Sequence, residues 1–212
     1  MITVWGEGRG FRVVWLLEEM GLPYTLRPVD LLVGVENDPE FLAVNPGGFI
    51  PALTDGDVTM VESVAIMEYL MARHGPTPLA PTASDKSFPA YKQFLYLGEA
   101  GLGMAAFILV GARNFAPASD RDSWSARQAA QQWETRMRLV HRQLAAAPYM
   151  AGEAFTAADI SVTYAMDLAV RAGVPLGEPE LSYVARTHGR DGYKRAMQAC
   201  HATRESAPKT GG

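Results

Sequence analysis

Apolar and polar residues alternate with two different periods along this chain, and the change from one to the other divides it. The short β-prone segment Ile2 to Trp5 runs into a glycine-rich stretch, Gly6-Glu7-Gly8-Arg9-Gly10, where a strand has to stop. From Phe11 to Met20, Val13, Val14, Leu17 and Met20 recur near helical spacing, Glu18 and Glu19 lie on the other side, and Gly21 is placed to end the helix. Tyr24 to Val29 predicts a second strand, and Asp38 to Val44 a short helix closed by Asn45-Pro46-Gly47-Gly48. Two further β-prone pieces, Ala52 to Thr54 and Val58 to Met60, flank the hairpin-type link Asp55-Gly56-Asp57. A helix from about Glu62 to His74 follows, so the order is βαβαββα.

Beyond this point the β-prone runs cease. Residues 77–87, rich in proline and small polar residues, form the expected linker between a first domain at 1–76 and a second at 88–205. The second domain is expected to be all helix, with helices near Phe88 to Gly111, Asp122 to Ala147, Ala157 to Ala172, Glu178 to Thr187 and Asp191 to Thr203. Residues 206–212 are small and polar and predict a frayed tail.

Composition narrows the function classes. The chain has 212 residues, nearly half of them apolar, which is enough for a substantial core. A net charge of -4 and the lack of a dense Lys/Arg block offer no footprint for nucleic acid or an anionic membrane. The start MITVWGEG lacks the features of a secretory signal, and no uninterrupted apolar stretch reaches the roughly 18 residues of a membrane span, so a cytoplasmic protein is expected. One cysteine, Cys200, and four scattered histidines argue against an internal disulfide and a metal site.

Three motifs carry a resemblance. Asn45-Pro46-Gly47-Gly48-Phe49-Ile50-Pro51-Ala52-Leu53, with Glu62-Ser63 nine residues beyond Leu53, resembles the glutathione-binding half of the cytosolic glutathione transferases. Phe11 to Tyr24 is similar to that family's first helix and second strand, and Phe155-Thr156-Ala157-Ala158-Asp159-Ile160 to its helical-domain signature. The implied fold is a thioredoxin-like α/β domain followed by a helical bundle. The implied function is a transferase that uses glutathione as co-substrate, acts on a small hydrophobic electrophile and forms a homodimer.

The resemblance implies a cis peptide before Pro51, which leaves the N–H and C=O of Ile50 to pair with the cysteinyl backbone of glutathione. An ordinary turn proline is the alternative reading of that dipeptide. Ser63, at a helix start where N–H groups and the dipole favour an anion, and the adjacent Glu62 suit the α-carboxylate and α-amine of a γ-glutamyl group. A serine helix cap beside a solvated glutamate is the other reading. Thr156 and Asp159, with Phe155 able to pack on Ile160, form a capping box and staple that nucleate a core helix.

The chain also departs from the family. The position of the usual serine or cysteine falls on Gly8, and no serine, cysteine or tyrosine lies between Gly6 and Arg12. Lowering the thiol pKa by two requires about 2.7 kcal/mol of preference for the anion. Backbone N–H groups at Gly8 and Gly10, with Arg9 turned toward the ligand, could supply it; a solvated Arg9 is the alternative. Arg12, inside the helix pattern, is expected to make a structural pair. Phe49 stands where relatives often carry a Lys, Gln or Arg for the glycine carboxylate, a role left open to Asn37, Arg27 or a residue elsewhere. Tyr96, Leu102, Met104, Phe107 and Phe115 fall in the stretch that lines the family's electrophile pocket, and residues at such helical spacing also form cores. Glu99 lies near the position of an acidic residue that reaches the partner's ligand in family dimers, or on a solvated helix face.

Overall fold

The computed structural model describes residues 1–31 and 34–206, with the side chains of 204–206 excepted. It divides into two compact units: Met1–Thr77 together with the chain from Gly189 on, and Pro78–His188.

In the first unit a four-stranded mixed sheet has the order β2-β1-β3-β4, built from β1 (Ile2–Trp5), β2 (Tyr24–Arg27), β3 (Ala52–Asp55) and β4 (Val58–Val61). β1 runs parallel to β2, with Ile2 opposite Tyr24, and antiparallel to β3, with Val4 opposite Leu53. β2 ends at Arg27, two residues short of the sequence expectation, because Pro28 has no N–H to extend the ladder. Helix α1 (Phe11–Met20) buries Val13, Val14, Leu16 and Leu17, and it contacts α3 (Ser63–His74), which buries Ile66, Met67 and Leu70. The short α2 (Pro39–Val44) opens with Pro39 and with Asp38, whose carboxylate accepts a hydrogen bond from Phe41 N–H at 3.0 Å. Phe41 then packs 6.4 Å from the Trp5 ring, in a cluster with Val29 and Ala52.

The last helix, α9 (Asp191–Ser206), belongs to this same unit. The sequence places it in the segment expected to form the helical domain, 88–205. Its periodicity indicates a helix but cannot name the face it meets. Tyr193 stands edge-on to Phe11 and Trp15, with ring centroids 5.4 and 4.9 Å away. Arg190 grips both carboxylate oxygens of Glu19 at 2.8 and 2.7 Å, and Arg195 pairs with Glu18 at 2.7 Å. Two aromatic edges and a bidentate ion pair fix α9 on α1. Ser206 closes the helix, and the rest of the expected tail lies outside the described residues.

The second unit is helical: α4 (Phe88–Tyr96), α5 (Met104–Val110), α6 (Trp124–Leu144), α7 (Ala157–Arg171) and α8 (Glu178–His188). The long helix expected from 88 to 111 runs on to Phe115 and contains wide turns at Leu97–Gly103 and Gly111–Phe115. The first has a visible cause, since α7 approaches so closely that a Cβ on Gly98 would lie 2.8 Å from Ser161 Cβ. Ser161 Oγ donates to Leu95 O at 2.8 Å and Arg136 to Gly101 O at 3.2 Å, taking up carbonyls near the widened turns. Taken together, 88–115 is long and apolar enough to cross a membrane, with a mean hydropathy of 1.7 over its most apolar 18 residues, half of which are buried within the protein.

α7 is the centre of this unit. Thr156 and Asp159 form the expected capping box, and Asp159 is completely buried. Its carboxylate accepts hydrogen bonds from Thr156 N–H and Met150 N–H, each at 2.8 Å, and from the Tyr183 hydroxyl at 3.0 Å. Burial outweighs these donors and pushes its pKa up to about 6.

Candidate functional site

The glycine-rich loop owes its course to contact with the Ile50-Pro51 edge. Gly6 has φ +83° and its N–H donates to Arg27 O at 2.8 Å; a Cβ there would be 2.7 Å from Ile50 Cβ, so only glycine fits. Two residues on, a Cβ at Gly8 would touch Ile50 Cδ1 at 3.2 Å, and one at Gly10 would meet Pro51 Cβ at 3.3 Å. Gly8–Gly10 make one tight turn leading into α1, and Arg9 is half-buried in it. Gly8, Arg9, Gly10, Ile50 and Pro51 thus form one continuous corner.

The Ile50–Pro51 peptide is cis. Among the described residues the N–H and C=O of Ile50 make no hydrogen bond, although its side chain packs on the cluster around Trp5. Paired main-chain groups are the rule in protein interiors, so an open N–H and C=O on one half-buried residue are a place for another backbone. Asn45 sets up this edge: its side-chain amide donates to Phe49 O at 2.6 Å and its carbonyl oxygen accepts from Gly47 N–H at 3.0 Å. The sequence marked Asn45 only as part of a turn.

Val61 pairs with Ala52, so the chain leaving β4 reaches Glu62-Ser63 at the same end of the sheet as Ile50-Pro51. Glu62 has φ +72°, the one non-glycine residue with positive φ among those described, a conformation that costs about 1 to 3 kcal/mol and collects at functional sites. Glu62 itself occupies the N-cap position without a side-chain cap bond and is exposed. Ser63 is the first helical residue, 2% exposed, and its hydroxyl oxygen accepts from Arg12 Nη1 at 3.2 Å. The simple serine-cap reading therefore does not hold.

Arg12 is the residue whose part the sequence only half revealed. It is fully buried, and the expected structural pair is with Ser63, fifty-one positions away. The contact leaves the Ser63 hydroxyl proton free to donate outward, and it sets a guanidinium charge beside the tip of α3, where the helix dipole is already positive. A carboxylate is what such a tip attracts.

Of the residues named for the glycine carboxylate, Arg27 is committed elsewhere. It ion-pairs with Asp38, with one contact at 2.8 Å, reaches Glu40 at 3.2 Å and lies 5.0 Å over the Trp5 ring. Phe49 is 43% exposed. In the helical unit Leu102 is fully buried and forms core, with no surface to offer a ligand; Tyr96, Met104, Phe107 and Phe115 are exposed.

Comparison with known proteins shows what the chain is similar to. Residues 10–73 match the family model of the glutathione S-transferase N-terminal domain. The glutathione S-transferase-like protein gedE of Aspergillus terreus is 41% identical over 113 residues, 48% of this chain and 46% of that protein. Glutathione S-transferase 3 of Schizosaccharomyces pombe is 29% identical over 176 residues, 78% of this chain and 72% of that one. A solved structure of glutathione S-transferase III in apo form superposes with a TM-score of 0.77 at 27% identity, over 93% of this chain and 96% of that one. The chain has the thioredoxin-like plus helical fold of the cytosolic glutathione transferase family. The matched stretch spans less than half the length of the Aspergillus relative.

Proposed function

We propose that this protein is a glutathione transferase: it binds glutathione at the Ile50 edge and the tip of α3, and holds the sulfur as thiolate for attack on a small hydrophobic electrophile. The observation that carries the reading is the open N–H and C=O of Ile50 on the sheet end that also presents Glu62 and Ser63. In the proposal Ile50 pairs with the cysteinyl main chain, as an added strand pairs with a sheet edge. The Ser63 hydroxyl and the α3 tip, backed by Arg12, take the γ-glutamyl carboxylate, and Glu62 takes the ammonium. Pro51 and Phe49 flank Ile50 and shape that edge. Arg9 and the amides of Gly8 and Gly10 stabilise the thiolate, which needs no covalent enzyme intermediate. The working form is a homodimer.

One observation favours a rival, a non-catalytic glutathione- or protein-binding module. Glu7 lies in the same loop, 8% exposed, with a carboxylate oxygen, Oε1, that is buried and has no hydrogen-bond partner. A buried negative charge opposes formation of a second one nearby. The ultraviolet thiolate signal of bound glutathione, followed against pH and paired with turnover of a generic aryl halide, separates the two. A transferase titrates the bound thiol well below its value in free glutathione, and Arg9→Ala moves it back up; Glu7→Gln lowers it further. A bound thiol that titrates as in free solution, with no turnover, makes the protein a binding module.

A further inference from the structure

The helical unit contains a cavity of about 590 Å³ whose walls all come from that unit. Trp133, Met137 and His141 succeed one another at four-residue spacing on α6 and make one wall; the segment Val174 to Gly177 and the start of α8, with Pro179 and Glu180, make the other. The volume is in the range of small-molecule pockets, and the lining is of their usual kind, apolar with a few polar groups.

The polar groups state what kind of molecule fits. Glu180 has a side chain only 4% exposed. Its Oε1 is engaged by His141 Nε2, while its Oε2 is buried and has no hydrogen-bond partner. Facing Oε2 is Gly177, where an added Cβ would stand 2.9 Å from that oxygen. Gly177 is itself on the lining, so the buried oxygen lies directly behind the cavity wall. Arg138 on the lining is matched in number by Glu134, and His141 is turned to Glu180 Oε1, so the oxygen left to set the preference between charges is Oε2. An anion would meet an unpaired carboxylate oxygen, whereas an N–H donor bearing positive charge would complete it.

We propose that this cavity is a second ligand site, for amines or amidines carrying a compact aromatic or alkyl body. The body lies against Trp133 and Met137 and the charged donor hydrogen-bonds Glu180 Oε2. The site stands on residues that the glutathione reading does not use, so the two succeed or fail separately.

Benzamidine is the probe and benzoate, the same ring with the opposite charge, its control. Titration calorimetry with the full chain is expected to give saturable one-to-one binding of benzamidine and none of benzoate. In Glu180→Gln the affinity for benzamidine should fall at least about tenfold. Pro175→Trp, at an exposed lining position, fills the cavity while keeping the carboxylate, and should lose binding as well. No saturation of the wild-type protein up to about 10 mM benzamidine, equal binding of benzoate, or undiminished binding in Pro175→Trp would each overturn the proposal. If Glu180→Gln does not fold, the Pro175→Trp result decides.

Discussion

The sheet end of the first unit and the cap of α7 in the second both gather polar groups out of water, and they treat them in opposite ways. Around Asp159 two backbone N–H groups and a tyrosine hydroxyl converge on one carboxylate, and nearby Ser161 and Thr163 also have partners. Around Ile50 a backbone donor and acceptor stand open, and Glu62 at the same end of the sheet has a strained positive φ. A fold gains from satisfying its own polar groups; a binding edge must leave some for the ligand. The contrast separates scaffold from site without knowing the ligand.

That contrast can be broken most directly at Asp159. Asp159→Ala strands three buried donors, and urea unfolding should show a loss of about 3 to 5 kcal/mol, with glutathione affinity of the folded protein unchanged. A loss below about 1 kcal/mol would remove the scaffold half of the comparison.

The same residue sets a pH dependence. With its folded pKa pushed up to about 6 from an ordinary 3.8, the folded state binds more protons than the unfolded one between those values. Stability therefore falls as pH rises from about 4 to about 6, by up to about 3 kcal/mol, and this contribution is flat above. Asp159→Asn should abolish that slope in unfolding curves measured across the window.

Smaller effects belong to the proposed binding edge. Gly6→Ala places a methyl group against Ile50 at a positive φ; it should cost about 2 kcal/mol of stability and weaken glutathione binding in calorimetry by shifting Ile50. Unchanged binding would separate the loop from the site. Ser63→Ala should raise the glutathione Kd about tenfold, roughly 1.4 kcal/mol, in a protein that still folds. If it instead loses stability while the folded fraction binds with unchanged Kd, the Arg12–Ser63 contact is purely structural.

Much of this was present in the order of residues. Strand and helix positions, the glycine-rich corner and the α7 cap follow from local patterns, because turn chemistry, side-chain periodicity and capping act between residues a few positions apart, while the Ile50-Pro51 edge and the Glu62-Ser63 pair were legible only through the family resemblance. The wide turns at 97–103 were not legible there, since an approaching α7, and not the apolar spacing of that helix, produces them. Nor was the place of α9, whose amphipathic pattern would serve on either unit until Tyr193 and Arg190 met Phe11, Trp15 and Glu19. Leu102 had the spacing of a pocket residue and of a core residue alike, and only its neighbours decided for the core.

By itself, the sequence determined the two-part architecture and the short strings that bring backbone groups to an edge. Tertiary structure alone decided that Arg12 lies behind Ser63, that Gly6 to Gly10 close on Ile50 and Pro51, and that Glu180 keeps an unpaired oxygen beside a cavity. Each of these joins residues through space, at separations and angles set by packing, and no spacing along the chain encodes them.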